Sequence, residues 1–234
     1  MKIIAIPLTL CCWAPAVLAA GINLSWDDCG SHGASNKTFA CNSNVGSDVL
    51  VASFIPPDSI SQFVGLYAEL EVQVADATLP NWWSHGTGLC RGTTGLSVSF
   101  DFTAGPFSCT DAFTGQAVGG FAYDIGYLLP NQARLRVQCA VPYDAPIALT
   151  STAEYYAFKT NLLHGKTTGA SSCSGCANPS ALTLLSIQLF QHELLRNDPT
   201  LVLPLSGTTV TWQVQAVMTP NEAASWGTLK ALYK

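Results

Sequence analysis

Two glutamates two residues apart, Glu69 and Glu71, form the best-placed acid-base pair in the chain. On a strand they share one face about 7 Å apart, a separation within the range of the acid and base of a glycosidase. Their plainer role is on a solvated strand face, with Arg134 and Arg136 of another strand as cross-strand ion partners. Asp27-Asp28 and Asp101 are the other carboxylate candidates. Trp82-Trp83, with Tyr67 on the outward face beside Glu69, is the candidate ligand-binding group. Adjacent aromatic rings can present flat apolar faces to a sugar or a protein partner. The alternative places one tryptophan in the core and the other over a loop.

Cys173-Ser174-Gly175-Cys176 reads first as a structural disulfide. A redox pair would need a lowered thiolate pKa and normally opens a helix, and a zinc site would need a second ligand pair. Ala177 stands where covalent haem attachment would require histidine. Gly165-Lys166-Thr167 echoes a phosphate-binding loop, but Thr160 occupies the position of its first glycine, so no nucleotide is expected. There is no Gly-x-Ser-x-Gly elbow, and His32, His85, His164 and His192 form no zinc-protease array. Residues 42–48, Asn-Ser-Asn-Val-Gly-Ser-Asp, are rich in oxygen donors and make calcium the one cofactor to consider, although the spacing is not that of an EF-hand. No other cofactor or metal is expected.

The surrounding chain has 234 residues, of which only 11% are charged and 48% hydrophobic. That charged share is about half the ~25% of an ordinary soluble domain, so polarity must come mainly from Ser, Thr, Asn and Gln. Ten Lys plus Arg against fifteen Asp plus Glu leave a net charge of −5, which offers no footprint for nucleic acid. Residues 1–20 carry Lys2, an apolar run and a small-residue close, the pattern of a cleaved secretory signal. The run falls short of the ~20 residues of a bilayer span, so no membrane span is expected. Cleavage after Ala20 would leave 214 residues, a net charge of −6 and seven cysteines in an oxidising compartment. Cys139 shares a strand face with Leu135, Val137 and Val141 and is the expected free thiol; nearest neighbours would then pair, Cys29 with Cys41, Cys90 with Cys109, Cys173 with Cys176.

About nine short runs with period-two hydrophobicity follow the signal: 49–55, 66–74, 96–102, 120–125, 133–141, 155–163, 182–191, 201–205 and 208–215. No strand-helix-strand crossover recurs. The expectation is an all-β fold: a two-sheet antiparallel, jelly-roll-like β-sandwich over residues 21–218, closed by a short C-terminal helix at 219–234. Thr219-Pro220-Asn221-Glu222 supplies the capping box for that helix. Asn23-Leu24-Ser25 and Asn36-Lys37-Thr38 are glycosylation sequons.

Several stretches together resemble a family of uncharacterised secreted bacterial proteins: Asn-Leu-Ser-Trp-Asp-Asp-Cys-Gly at 23–30, Val-Ala-Ser-Phe-Ile-Pro-Pro at 51–57, Leu-Pro-Asn-Trp-Trp at 79–83, Cys90-Arg91, the 173–176 motif, Trp212-Gln213 and the ending at 226–234. The resemblance implies secretion and a β-rich fold and carries no activity. In that family two further cysteines stand where this chain has Ala177 and Ala181, and the position of Cys139 is apolar. The function expected from all of this is a non-enzymatic surface, structural or assembly module that meets a protein or glycan at the cell surface. The alternative is a glycan-binding or glycan-cleaving sandwich using Trp82, Trp83, Glu69 and Glu71.

Overall fold

The structure, a computed structural model, describes residues 20–104, 108–193 and 197–214. The signal segment, apart from Ala20, and the helix expected at 219–234 lie outside them. Twelve strands run through the described residues: β1 (Gly21–Trp26), β2 (Asn36–Lys37), β3 (Ser47–Ile55), β4 (Ile60–Val74), β5 (Leu96–Ser99), β6 (Val118–Ile125), β7 (Gln132–Ala140), β8 (Ile147–Leu149), β9 (Tyr155–Leu163), β10 (Ser180–Gln191), β11 (Thr200–Leu201) and β12 (Thr209–Trp212). One sheet has the order β1-β3-β9-β5. The other runs β2-β12-β10-β4-β7-β6, with β11 beside β10 and β8 beside β4. Every ladder between these strands is antiparallel except the two-residue pairing of β12 with β2. The fold is the two-sheet β-sandwich that the alternation predicts.

β4 shows why the sheets face each other as they do. Leu66, Ala68, Leu70, Val72 and Val74 are buried, while Tyr67, Glu69, Glu71 and Gln73 look outward. Its neighbour β7 matches it in register, placing Cys139 opposite Leu66, Val137 opposite Ala68 and Leu135 opposite Leu70 on the inner side. Each such aliphatic side chain contributes about 1.5–3 kcal/mol when fully buried. On the other flank of β4, β10 slips its register between Leu184 and Ser186. This bulge moves the inward set from Leu182 and Leu184 to Ile187 and Leu189, so both halves of the strand still bury their large residues.

β1 escapes the alternation rule because all six of its residues are buried. Its outer edge is covered by residues 203–207: Ile22 N–H donates to Leu203 O (2.8 Å), Leu205 N–H to Ile22 O (3.0 Å) and Leu24 N–H to Gly207 O (2.9 Å). The strand expected over 201–205 is therefore mostly an irregular cover, with only Thr200–Leu201 in a ladder. Asn23, inside β1, accepts from Ser206 N–H and Oγ–H and donates to Glu154, so the first sequon is folded away.

The disulfides overturn nearest-neighbour pairing. Cys29 bonds Cys109, Cys41 bonds Cys176, and Cys90 bonds Cys173. Sequence neighbours diverge into different loops: Asp28 accepts from Ser108 N–H and Oγ–H and so brings Cys29 to Cys109, whereas Gln213 brings Cys41 and Cys176 together by donating to Phe39 O and Cys176 O. Within the 173–176 turn, Gly175 has φ +94 and a Cβ there would collide with the Pro80 ring, so only glycine lets the turn send the two cysteines to separate partners. Cys139 is buried and free, and burial pushes its thiol up to about 12.

Closing loops of 80, 135 and 83 residues is worth on the order of 4–5 kcal/mol each in the chain-entropy treatment. Non-reducing peptide mapping should recover these three linkages, and Cys139 should react with a thiol reagent only after denaturation. Recovery of a Cys29–Cys41 or Cys173–Cys176 peptide would refute the arrangement.

Candidate functional site

The residues singled out for chemistry are dispersed, and most are engaged inside the protein. Trp82 and Trp83 lie in the 3-10 turn Asn81–Trp83 and are 0% and 2% exposed. Trp82 stacks on Trp212 at 6.3 Å between centroids and is covered by the Arg91 guanidinium 3.6 Å above its ring; Trp83 meets Trp212 edge-on at 6.1 Å. Neither ring is a platform for a ligand, which corrects the expectation from their adjacency. Trp82 N–H donates to Ser174 O at 2.8 Å, so the turn is held down by the loop that carries Cys173 and Cys176. That loop in turn supplies neither a redox dithiol nor a zinc pair, because each of its cysteines belongs to a different disulfide.

Glu69 and Glu71 do share the outer face of β4, and Arg134 lies between them, 2.7 Å from Glu69 and 3.1 Å from Glu71. Arg134 also lies over the ring of Tyr127 at 4.7 Å. The second arginine, Arg136, pairs with Asp124 of β6 through both Nε and Nη2. Tyr67 donates to Glu69 at 2.6 Å, and burial together with that carboxylate pushes its phenol up to about 12. A carboxylate pair chelated by one guanidinium and a phenol is a cross-strand ion network, in place of the acid and base of a glycosidase. Two of the residues whose oxygens suggested calcium are engaged in the same way. Asn44 Oδ1 accepts from Thr167 N–H and Thr168 N–H, and Asp48 pairs with His164 at 2.8 Å and Lys37 at 3.2 Å.

What remains open is an edge. β5 spans four residues and β2 two, and β1 is covered, but β6 presents eight residues with no strand beyond it among those described. Six of its eight residues are exposed. Val118 is 79% exposed on the outer face, Phe121 and Ile125 are exposed on the other, and Tyr127, Leu128 and Leu129 are exposed at the hairpin tip, Leu128 at 68%. On the outer side a shallow groove of about 500 Å³ runs beside Tyr67, Val118, Gly120, Arg136 and Gln138.

The two glycines of this strand differ in kind. A Cβ on Gly119 would stand 2.2 Å from Gln138 O and 2.7 Å from Cys139 Cβ, so close packing on β7 requires glycine. A Cβ on Gly120 would meet nothing within 4 Å, so its bareness serves no packing and simply exposes backbone. Sequence reasoning marked the strand (120–125) but not its position at the rim, which depends on pairings no local pattern specifies.

Beneath the inner face of β6 lies a buried polar group. Tyr123 donates to Trp83 O at 2.9 Å and meets His85 edge-on at 5.2 Å. Among the described residues neither ring nitrogen of His85 has a hydrogen-bond partner, nor do Nε and Nη1 of Arg91. Arg91 makes its bonds through Nη2, to Gly95 O at 3.2 Å and to Leu163 O. Burial first, then the charge of Arg91, lowers His85 to about 3.

No family model matches the chain, and no curated protein does. Among solved structures it is similar to a cohesin module from a family 33 glycoside hydrolase of Clostridium perfringens, at 9% identity and TM-score 0.41 over 83% of this chain and 97% of that one. It is likewise similar to the second type II cohesin module of the adaptor scaffoldin ScaA of Acetivibrio cellulolyticus, at 9% identity and TM-score 0.37 over 77% and 89%.

The His85 value sets an acid response. Between pH 6.5 and 3 the unfolded chain binds a proton at this position that the folded chain does not, so stability is full above 6.5 and declines toward 3. The slope is about 1.4 kcal/mol per pH unit. In urea titrations between pH 6.5 and 4.5, His85→Gln should lose at least ~1 kcal/mol less than the parent; equal losses in the two proteins would show that His85 titrates normally.

Proposed function

We propose that this chain is a secreted, non-enzymatic assembly module whose docking element is the β6 edge, and that its partner is a protein that adds an extended segment to that edge. The carrying observation is the contrast among the rims of the two sheets. An unpaired edge is a row of N–H and C=O groups ready for another strand, and proteins ordinarily shorten, cover or charge such edges. Three of the four rims here are short or covered, while β6 is long and flanked by exposed apolar side chains.

Strand addition supplies affinity through main-chain hydrogen bonds and specificity through side-chain pockets on alternate positions. The outer groove beside Val118 and Gly120, and the exposed Phe121 and Ile125 on the other face of the strand, provide such positions. The only charge on the strand, Asp124, is taken up by Arg136, so it does not repel an incoming chain. Secretion is supported by the signal-like pattern at 1–20 and by three disulfides, which persist in oxidising compartments. Among the described residues no helix is long and apolar enough to cross a membrane.

Gly120→Lys tests the edge without disturbing the fold, because the new side chain enters open space. Affinity capture from the source organism's surface proteins, followed by binding measurements with each captured partner, should show at least a tenfold loss for Gly120→Lys and for Val118→Asp, with melting temperature unchanged. Retention of partner affinity in both variants would overturn the reading. So would glycan binding that is abolished by Tyr67→Ala while no protein partner depends on β6.

A further inference from the structure

A second cavity, of about 220 Å³, opens beside β6 on its inner side. Its volume equals that of roughly seven liquid waters at ~30 Å³ each, too small for a peptide and sufficient for a small organic molecule. The mouth is bordered by Gly86 and Gly92, which bring no side chains, and by the exposed Thr93. Leu96 and the rings of Phe121 and Tyr123 make one part of the wall apolar.

The polar part of the wall is His85, 4% exposed and with both ring nitrogens unpartnered. Arg91 lies behind it, 2% exposed, with no carboxylate among its partners and two of its nitrogens unbonded among the described residues. Arg91 Nε and His85 Nδ1 are each 2.9 Å from the point where a side chain on Gly95 would begin, so the glycine keeps the two groups together. A guanidinium without a counter-ion, unused donors and an apolar wall favour a ligand with one negative charge and an apolar body.

We propose that this cavity binds a small organic carboxylate, its apolar part against Leu96 and Phe121 and its carboxylate on the N–H of His85 in the field of Arg91. Inorganic phosphate fits poorly: it brings up to two charges to a single unpaired cation and has no apolar surface for the rest of the wall. The site shares Phe121 with the exposed face of β6 but needs no docked partner, and its polar groups, His85 and Arg91, take no part in strand addition.

Benzoate is the probe, with its neutral isostere benzamide and inorganic phosphate as parallel arms at constant ionic strength. His85 imidazole resonances and tryptophan fluorescence are followed through each titration. Benzoate should saturate with an affinity at least about tenfold above benzamide, and phosphate should leave the signals unmoved. His85→Phe, with its fold checked by near-UV circular dichroism and intact disulfides, should bind benzoate no better than benzamide. Phe121→Ala, whose change lies at the partly exposed wall, should weaken benzoate without altering the acid response of His85. Equal affinity for benzoate and benzamide, saturation by phosphate, selectivity surviving in His85→Phe, or no saturable response at all would each overturn the assignment.

Discussion

Trp212 is the side chain on which both sheets and the loops at one end of the sandwich converge. It lies at the close of β12, contacts Trp26 of the opposite sheet at 5.8 Å between centroids, and meets Trp82, Trp83 and Phe39 at 6.1–6.3 Å. Its indole N–H donates to Cys176 O at 2.9 Å, one residue from the donor Gln213 that also engages Phe39 and Cys176. Cys176 is bonded to Cys41, so the same indole fixes the loop before β3 and the loop before β10. Aromatic pairs contribute about 0.5–1.5 kcal/mol beyond area burial, and four of them at one ring make this end rigid. A chain with 11% charged residues has few surface ion pairs with which to hold its loops, and here aromatic rings and disulfides perform that task.

The sheets were legible in the sequence to the extent that each strand has one wet face. β4, β7 and β9 announce themselves by alternation, and even the bulge of β10 is written as a phase change from Leu182 and Leu184 to Ile187 and Leu189. β1 was not legible, since a strand buried on both faces has no period and its polar Asn23 and Ser25 find partners only in distant loops. Short pairings such as β2 and β8 carry too few residues for a pattern. The disulfides failed for a related reason: proximity in sequence governs pairing only where the intervening loop closes on itself, and here Asp28, Pro80 and Gln213 draw the cysteines into long-range contacts. The site residues divide likewise. The Glu69–Glu71 face and its arginine partner could be read from alternation, whereas the burial of Trp82 and Trp83 depends on Trp212 and Arg91, 129 and 8 residues away from the nearer end of that pair.

Two arginines in this protein solve burial differently. Arg134 is surrounded by Glu69, Glu71 and the ring of Tyr127, so its charge is balanced locally. Among the described residues Arg91 has two carbonyl oxygens and the face of Trp82 as partners. Hydrogen bonds involving a charged group contribute about 1.5–3 kcal/mol each and a desolvated cation–π contact about 2, against a desolvation cost of several kcal/mol for a buried ion. These terms roughly cancel, so Arg91 is tolerated without stabilising the fold by much. Its neighbour Cys90 is bonded to Cys173, which holds the segment where packing alone has little surplus.

Deprotonation gives Arg91 no escape from that balance. Burial lowers its guanidinium to about 10, still well above neutral pH, so the charge persists in the folded protein. Its field reaches His85 and adds to burial in keeping that imidazole neutral. A neutral histidine retains one N–H donor and one acceptor nitrogen, and with the cation behind it the donor side is the one an anion would meet. The same unbalanced charge that makes this corner indifferent to stability therefore gives it a directional preference, which the fully compensated Arg134 network lacks.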